Sequence, residues 1–316
     1  FEDGSYLQLD YVAPAVIRAN PGCIRFVNGP APVAAEASGT AAIRVFADLT
    51  VPEGASQTFD QGGAYIFSEP ERPVGSLFNY GSITVTGQEP DSRSVFGVSQ
   101  GNSLWEDYLF YNAASASLHV SNNGLAEIYG ISLSFGAPTV ENHGLIQVIN
   151  TVGPATGVRA ADTEWLLNNH GRIEVQGGSL GIGVHVAKNT TAPWSADDIA
   201  NNHGVIDVRA DVAIGLLSDQ NTHLNNTGSI LVEGQRAAYG AILDFNGSFN
   251  NSGTIRVSAS IPGAVSIGVT ALNVPFITAT GGGFADYVNS GLIEADIAIW
   301  VDDSSDYTMF RTIERV

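Results

Sequence analysis

The chain is almost without basic charge. Of its 316 residues only Lys188 is a lysine, and 13 Lys and Arg stand against 32 Asp and Glu, for a formal net charge of −19. Nucleic-acid binding requires cationic side chains that displace counterions from phosphates, so that partner class is excluded. Acidic polysaccharides and anionic lipid surfaces are disfavoured on the same ground. Cysteine is nearly absent as well: Cys23 stands alone, which rules out an intrachain disulfide. No apolar run approaches the roughly 18 residues of a spanning helix. Phe1 has no basic stretch behind it of the kind that opens a secretory signal. The chain is therefore expected to be soluble as given, and to be a processed or excised piece of something longer. Serine-hydrolase elbows, phosphate-binding loops and His-Glu-x-x-His zinc sites are missing.

What the sequence has in quantity is glycine, 36 residues of it, and a repeat. The segment Leu167-Asn168-Asn169-His170-Gly171-Arg172-Ile173-Glu174-Val175 follows the pattern Φ-x-N-x-G-x-Φ-x-Φ, with Φ apolar. Further copies centre on Asn79, Asn122, Asn142, Asn202, Asn226, Asn251 and Asn289. Apolar, mostly β-branched residues at every second place describe a strand with one buried face. Between copies a glycine followed by an aliphatic recurs, as in Gly157-Val158, Gly183-Val184 and Gly215-Leu216, and a third short stretch leads into each Asn. Intervals between copies range from 20 to 43 residues. A stacked solenoid tolerates such scatter because surplus residues loop outward.

The pattern predicts an all-β fold: a right-handed, single-stranded parallel β-helix with three short strands per coil. Residues 1–76 show no copy and are expected to form an irregular N-terminal cap, with the β-helix running over 77–316. At the ~4.8 Å spacing of parallel strands, identical inward amides hydrogen-bond to the coils above and below, so the eight asparagines are expected to form a ladder. The glycine two residues on is expected to occupy a place that a Cβ would obstruct.

From about Leu77 to Val301, the N-[STH]-G-x-I-x-V repeat and its glycine-aliphatic companion resemble the β-helical passenger region of bacterial autotransporters, the type V secreted surface proteins. The resemblance implies a secreted or outer-membrane-attached chain on the bacterial cell surface. It also implies a C-terminal outer-membrane translocator barrel in the full-length protein and a role in virulence or adhesion. It carries over no active-site residues and no cofactor.

Two loops combine aromatics with carboxylates: Trp105, Glu106, Asp107 and Tyr108 in one, Trp194, Asp197 and Asp198 in the other. Such sets grip sugar rings, and they equally pack a loop against a wall. The place after each repeat Asn holds Tyr80, Asn123, His143, His170, His203, Thr227, Ser252 and Ser290. Three histidines in successive coils should line up at ~4.8 Å, where imidazoles can share a metal, titrate together, or simply stack. Five places after the Asn, Glu174 and Asp207 become neighbours, a pair that fits a glycosidase or an ordinary acidic β-face.

Two functions fit this reading. One is a non-enzymatic, elongated scaffold or adhesin whose loops contact a glycan, a host or a neighbouring cell. The other is a polysaccharide lyase or hydrolase of the pectate-lyase-like β-helix type, with its cleft between the two aromatic loops.

Overall fold

The computed structural model describes residues 7–10, 24–27, 43–45, 48–59, 64–67, 76–87, 94–101, 107–134, 137–161, 165–187, 198–218, 222–244, 248–272, 286–302 and 311–314. Every regular element among them is a strand, and every pairing is parallel. The chain is a parallel β-solenoid.

Each full coil contributes three stretches. The first leads into the repeat asparagine, as in Ala137–Asn142, Leu166–Asn169 and Asp198–Asn202, and these stack into a ten-stranded wall. The second follows the asparagine, as in Leu145–Asn150 and Arg172–Gly177. The third carries the glycine-aliphatic pair, as in Ala155–Ala161 and Leu180–Ala187. In two coils the second and third stretches run together as Val205–Ser218 and Ser229–Asp244, so these two walls join into one 19-stranded sheet.

Register is strict because the pleat has a period of two: a slip of one residue would turn every buried aliphatic to solvent. Ile146 pairs with Ile173, Ile173 with Ile206, and Ile206 with Ile230. Leu77, Phe110, Val140, Leu167, Ala200, Leu224, Phe249 and Tyr287 fill the matching column of the first wall, and all are buried. The glycine after the asparagine is required by close approach. A Cβ on Gly171 would stand 2.1 Å from the Gly144 carbonyl oxygen, and one on Gly204 2.0 Å from that of Gly171.

The inner ladder runs without a break. Asn79, Asn112, Asn142, Asn169, Asn202, Asn226 and Asn251 each donate from Nδ2 to the Oδ1 of the next asparagine, at 2.7–2.8 Å, ending on Asn289.

One member differs from the repeat read off the sequence: Asn112 takes the place expected for Asn122. Asn122 lies at the end of Ser117–Asn122 in the second wall, opposite Asn150, and its buried Oδ1 has no hydrogen-bond partner. The cause is a turn of two extra residues after Asn112, closed by the Ala116 amide donating to the Ala113 carbonyl, with no glycine to mark it. Steps between ladder members accordingly fall between 24 and 38 residues.

Residue 76 does not interrupt the sheets. Leu49–Val51 pairs with Leu77–Asn79, and Ser56–Phe59 with Ser82–Thr86. Val51 stands where an asparagine would, followed by another such turn at Pro52–Ala55, so that coil carries no copy of the motif. Further back, Ile43–Val45 pairs with Ala64–Phe67, and Leu7–Asp10 with Ile24–Val27.

Candidate functional site

Apart from the buried Ala113, the residue after each ladder asparagine turns outward, and this corner carries a run of rings. His143 and His170 stack with centroids 4.8 Å apart and planes at 7°; His170 and His203 follow at 4.8 Å and 20°. The column place in the preceding coil belongs to Ala113, not Asn123. Tyr111, from the neighbouring column, bridges the gap, 5.7 Å from Tyr80 and 5.5 Å from His143. Five rings thus follow one another along the edge. His203 Nδ1 shares a 2.7 Å hydrogen bond with the Thr227 hydroxyl, and His143 Nε2 lies 3.9 Å from the Glu141 carboxylate.

This geometry opposes the metal-binding alternative for His143, His170 and His203. Parallel rings keep equivalent nitrogens about as far apart as their centroids, whereas two nitrogens at ~2.1 Å from one ion lie within about 4.2 Å of each other. Among the described residues no group of three or more His, Cys, Asp or Glu is placed to hold a metal.

Beside the rings runs a second amide ladder that the sequence reading missed. Asn250 donates to Asn225, Asn225 to Asn201, and Asn201 to Asn168, at 2.9–3.0 Å, and Asn168 donates to Glu141 at 2.5 Å. These side chains face outward, and their ladder donates in the sense opposite to the inner one. The signal was present as the doublets Asn168-Asn169, Asn201-Asn202, Asn225-Asn226 and Asn250-Asn251. Only the second residue of each doublet had been assigned a role.

On the second wall the outward column reads Thr84, His119, Gln147, Glu174, Asp207, Leu231, Arg256 and Glu294, with His119 in the place expected for Glu127. Glu174 and Asp207 are neighbours, bridged by Arg172: its Nε donates to Glu174, and a terminal nitrogen donates to Asp207 at 2.7 Å. Desolvation pushes the Glu174 carboxyl up. Hydrogen bonds from Gln147 and Arg172 and the charges of Arg172 and Arg209 outweigh it and hold the group below the usual carboxylate range.

Asp207 differs from the exposed wall residue expected, being 4% exposed beneath Arg172 and Arg209. Farther along, Arg209, Glu233, Arg256, Glu294 and Asp296 line a shallow groove of about 530 Å³ with Asp207 at one end. Arg256 pairs with Glu294, and Ser266 donates from both its amide and its hydroxyl to Asp296.

The aromatic loops fare differently. Trp105, Glu106, Trp194 and Asp197 lie outside the described residues. Asp107 and Asp198 each open a strand of the first wall, three coils apart, and their side chains are not among those described. Tyr108 is a correction: it is 3% exposed and belongs to the core, because it stands two places before inward-facing Phe110 and shares its face. Burial pushes its hydroxyl pKa well above the ordinary value.

The chain was compared with family models, curated proteins and solved structures, and none of them matches it.

Proposed function

We propose that the chain is a rigid, elongated scaffold displayed outside the cell, a β-helical passenger of the adhesin type that offers its length to a glycan or a neighbouring cell surface. The observation that supports this reading is the asparagine ladder, continuous from Asn79 to Asn289, which ties each of these coils to the next through the buried interior. Such a stack grows by addition and repeats its outer side chains along its length, as a surface that engages an extended partner requires. The strongly acidic exterior suits this role by discouraging edge-to-edge association of parallel strands.

On this reading the full-length protein carries an outer-membrane translocator barrel after the solenoid. The test is antibody labelling of intact cells that make the native full-length protein, together with protease shaving. Labelling and shaving of intact cells are expected; labelling only after permeabilisation would overturn the proposal.

The groove lined by Asp207, Arg209, Glu233, Arg256, Glu294 and Asp296 favours a second reading, a polysaccharide-active enzyme. Carboxylates and arginines side by side in one depression can bind and polarise a sugar chain. Turnover of a neutral or uronate polysaccharide by the purified chain, lost in Arg256→Ala, would establish it. Absence of turnover across a lyase and hydrolase panel would remove it.

A further inference from the structure

The ring run and the outer amide ladder lie in adjacent outward columns and overlap in the coils of Asn168 and Asn201. Tyr80, His170 and His203 are exposed, and Tyr111, His143, Asn168, Asn201 and Asn225 are half-buried. Ring-to-ring steps are 5.7, 5.5, 4.8 and 4.8 Å. That pitch is close to the length of one pyranose in an extended, equatorially linked sugar chain.

An asparagine amide has two N–H donors and two acceptor lone pairs. In the outer ladder Asn201 and Asn225 each spend one N–H and one lone pair on their neighbours. On each of these two amides one donor and one lone pair are not spent within the ladder. Tilted phenol rings for sugar faces, with imidazole edges and a row of amides for hydroxyls, supply the two kinds of contact a polysaccharide site uses.

The charge fixes the class of chain. With a net charge of −19, and Glu141 between Tyr111 and Asn168 in its column, a polyuronate would meet repulsion. We infer that this edge is a lengthwise binding track for a neutral, extended polysaccharide, with pyranose faces on the tilted rings of Tyr80 and Tyr111 and hydroxyls on the outer ring edges of His143, His170 and His203 and on Asn168, Asn201 and Asn225. This deepens the scaffold reading and rests on it for its setting. The track is separate from the groove of the second wall.

The experiment is calorimetry of the purified chain with cello-, xylo- and manno-oligosaccharides of two to six units, and with an oligogalacturonide. Affinity for at least one neutral series should rise with each added unit up to about five, one per ring. Tyr111→Ala and Asn201→Ala should each weaken binding by about 2–10-fold, the range of a lost aromatic or neutral hydrogen-bonding contact. Arg236→Ala, at an exposed arginine paired with Asp211 outside both the track and the groove, should leave it unchanged.

Circular dichroism checks each variant. Should one not fold, the imidazole carbon-bound proton signals of His143, His170 and His203 in the unaltered chain must shift on adding the sugar. No binding of any neutral series, affinity flat beyond the disaccharide, preference for the uronate, or unshifted imidazoles would each overturn the track. Surface labelling without sugar binding removes this inference alone. Sugar binding by a protein confined inside the cell removes the scaffold reading alone.

Discussion

Replacing Asn169 by alanine tests the ladder where it is most deeply committed. The side chain is fully buried, donates to Asn202 Oδ1 at 2.7 Å and accepts from Asn142 Nδ2 at 2.7 Å, with its second N–H 3.4 Å from the Val205 carbonyl. Alanine would strand the Asn142 donor and the Asn202 acceptor in the buried interior. Each stranded group costs about 1–3 kcal/mol, so about 2–6 kcal/mol in all is expected. Asn79→Ala should cost less, because Val51 precedes it and no donor of an earlier coil is stranded. The bonds lost there are those to Asn112 and to the Ser117 carbonyl and the one accepted from the Gly81 amide. Asn201→Ala, in the outer ladder, should cost less than about 1 kcal/mol, since solvent reaches its half-buried partners. Urea unfolding followed by Trp165 fluorescence reads the same coil, in a background with the other three tryptophans changed to phenylalanine. If Asn169→Ala and Asn201→Ala lowered stability equally, the buried ladder would not be what ties the coils together.

Gly204→Ala places a Cβ 2.0 Å from a backbone oxygen and should destabilise by about 1–3 kcal/mol or more. Gly54→Ala, at φ 76° with open space around it, should cost about 1–2 kcal/mol through conformation alone; thermal melts of equal depression would contradict the close-approach argument. Glu174 has its folded pKa held below the ordinary 4.5, so its stabilising effect is present above that value and is lost as pH falls through the lowered pKa. Melting temperatures of the parent chain and Glu174→Gln should therefore differ most above pH 4.5 and converge in the acid range below it; a gap that persisted there would exclude the linkage. Titration with Zn²⁺ should give no saturable heat, and a 1:1 isotherm abolished by His170→Ala would show that the stacked rings do bind metal.

The fold was legible because its determinants repeat. Isoleucine and valine at every second place fix strand and face, and an asparagine with a glycine two residues on fixes the coil. The pattern failed where a turn replaced the glycine. Two inserted residues hid Asn112, and the Φ-x-N-x-G signature around Asn122 answered to the corner of a different wall. Val51 concealed a coil for the converse reason, an aliphatic standing where the polar member belonged. The histidine pitch could be read from spacing, but Tyr111 entering the run from the next column could not, since that depends on Ala113 leaving room. Nor could the burial of Asp207, which follows from two arginines in successive coils reaching over it. Tyr108 was misassigned because an aromatic next to carboxylates resembles a binding loop until the alternation with Phe110 is imposed.

The two amide rows point in contrary directions, and the inner one makes the two faces of any coil chemically unlike. Cut at any level, it would leave an N–H on one face and a carbonyl oxygen on the other. At Asn289 the amide donates instead to the Gly291 carbonyl of its own coil, so the row ends with its last donor satisfied, while Glu314 of the next strand stands in register where another asparagine would.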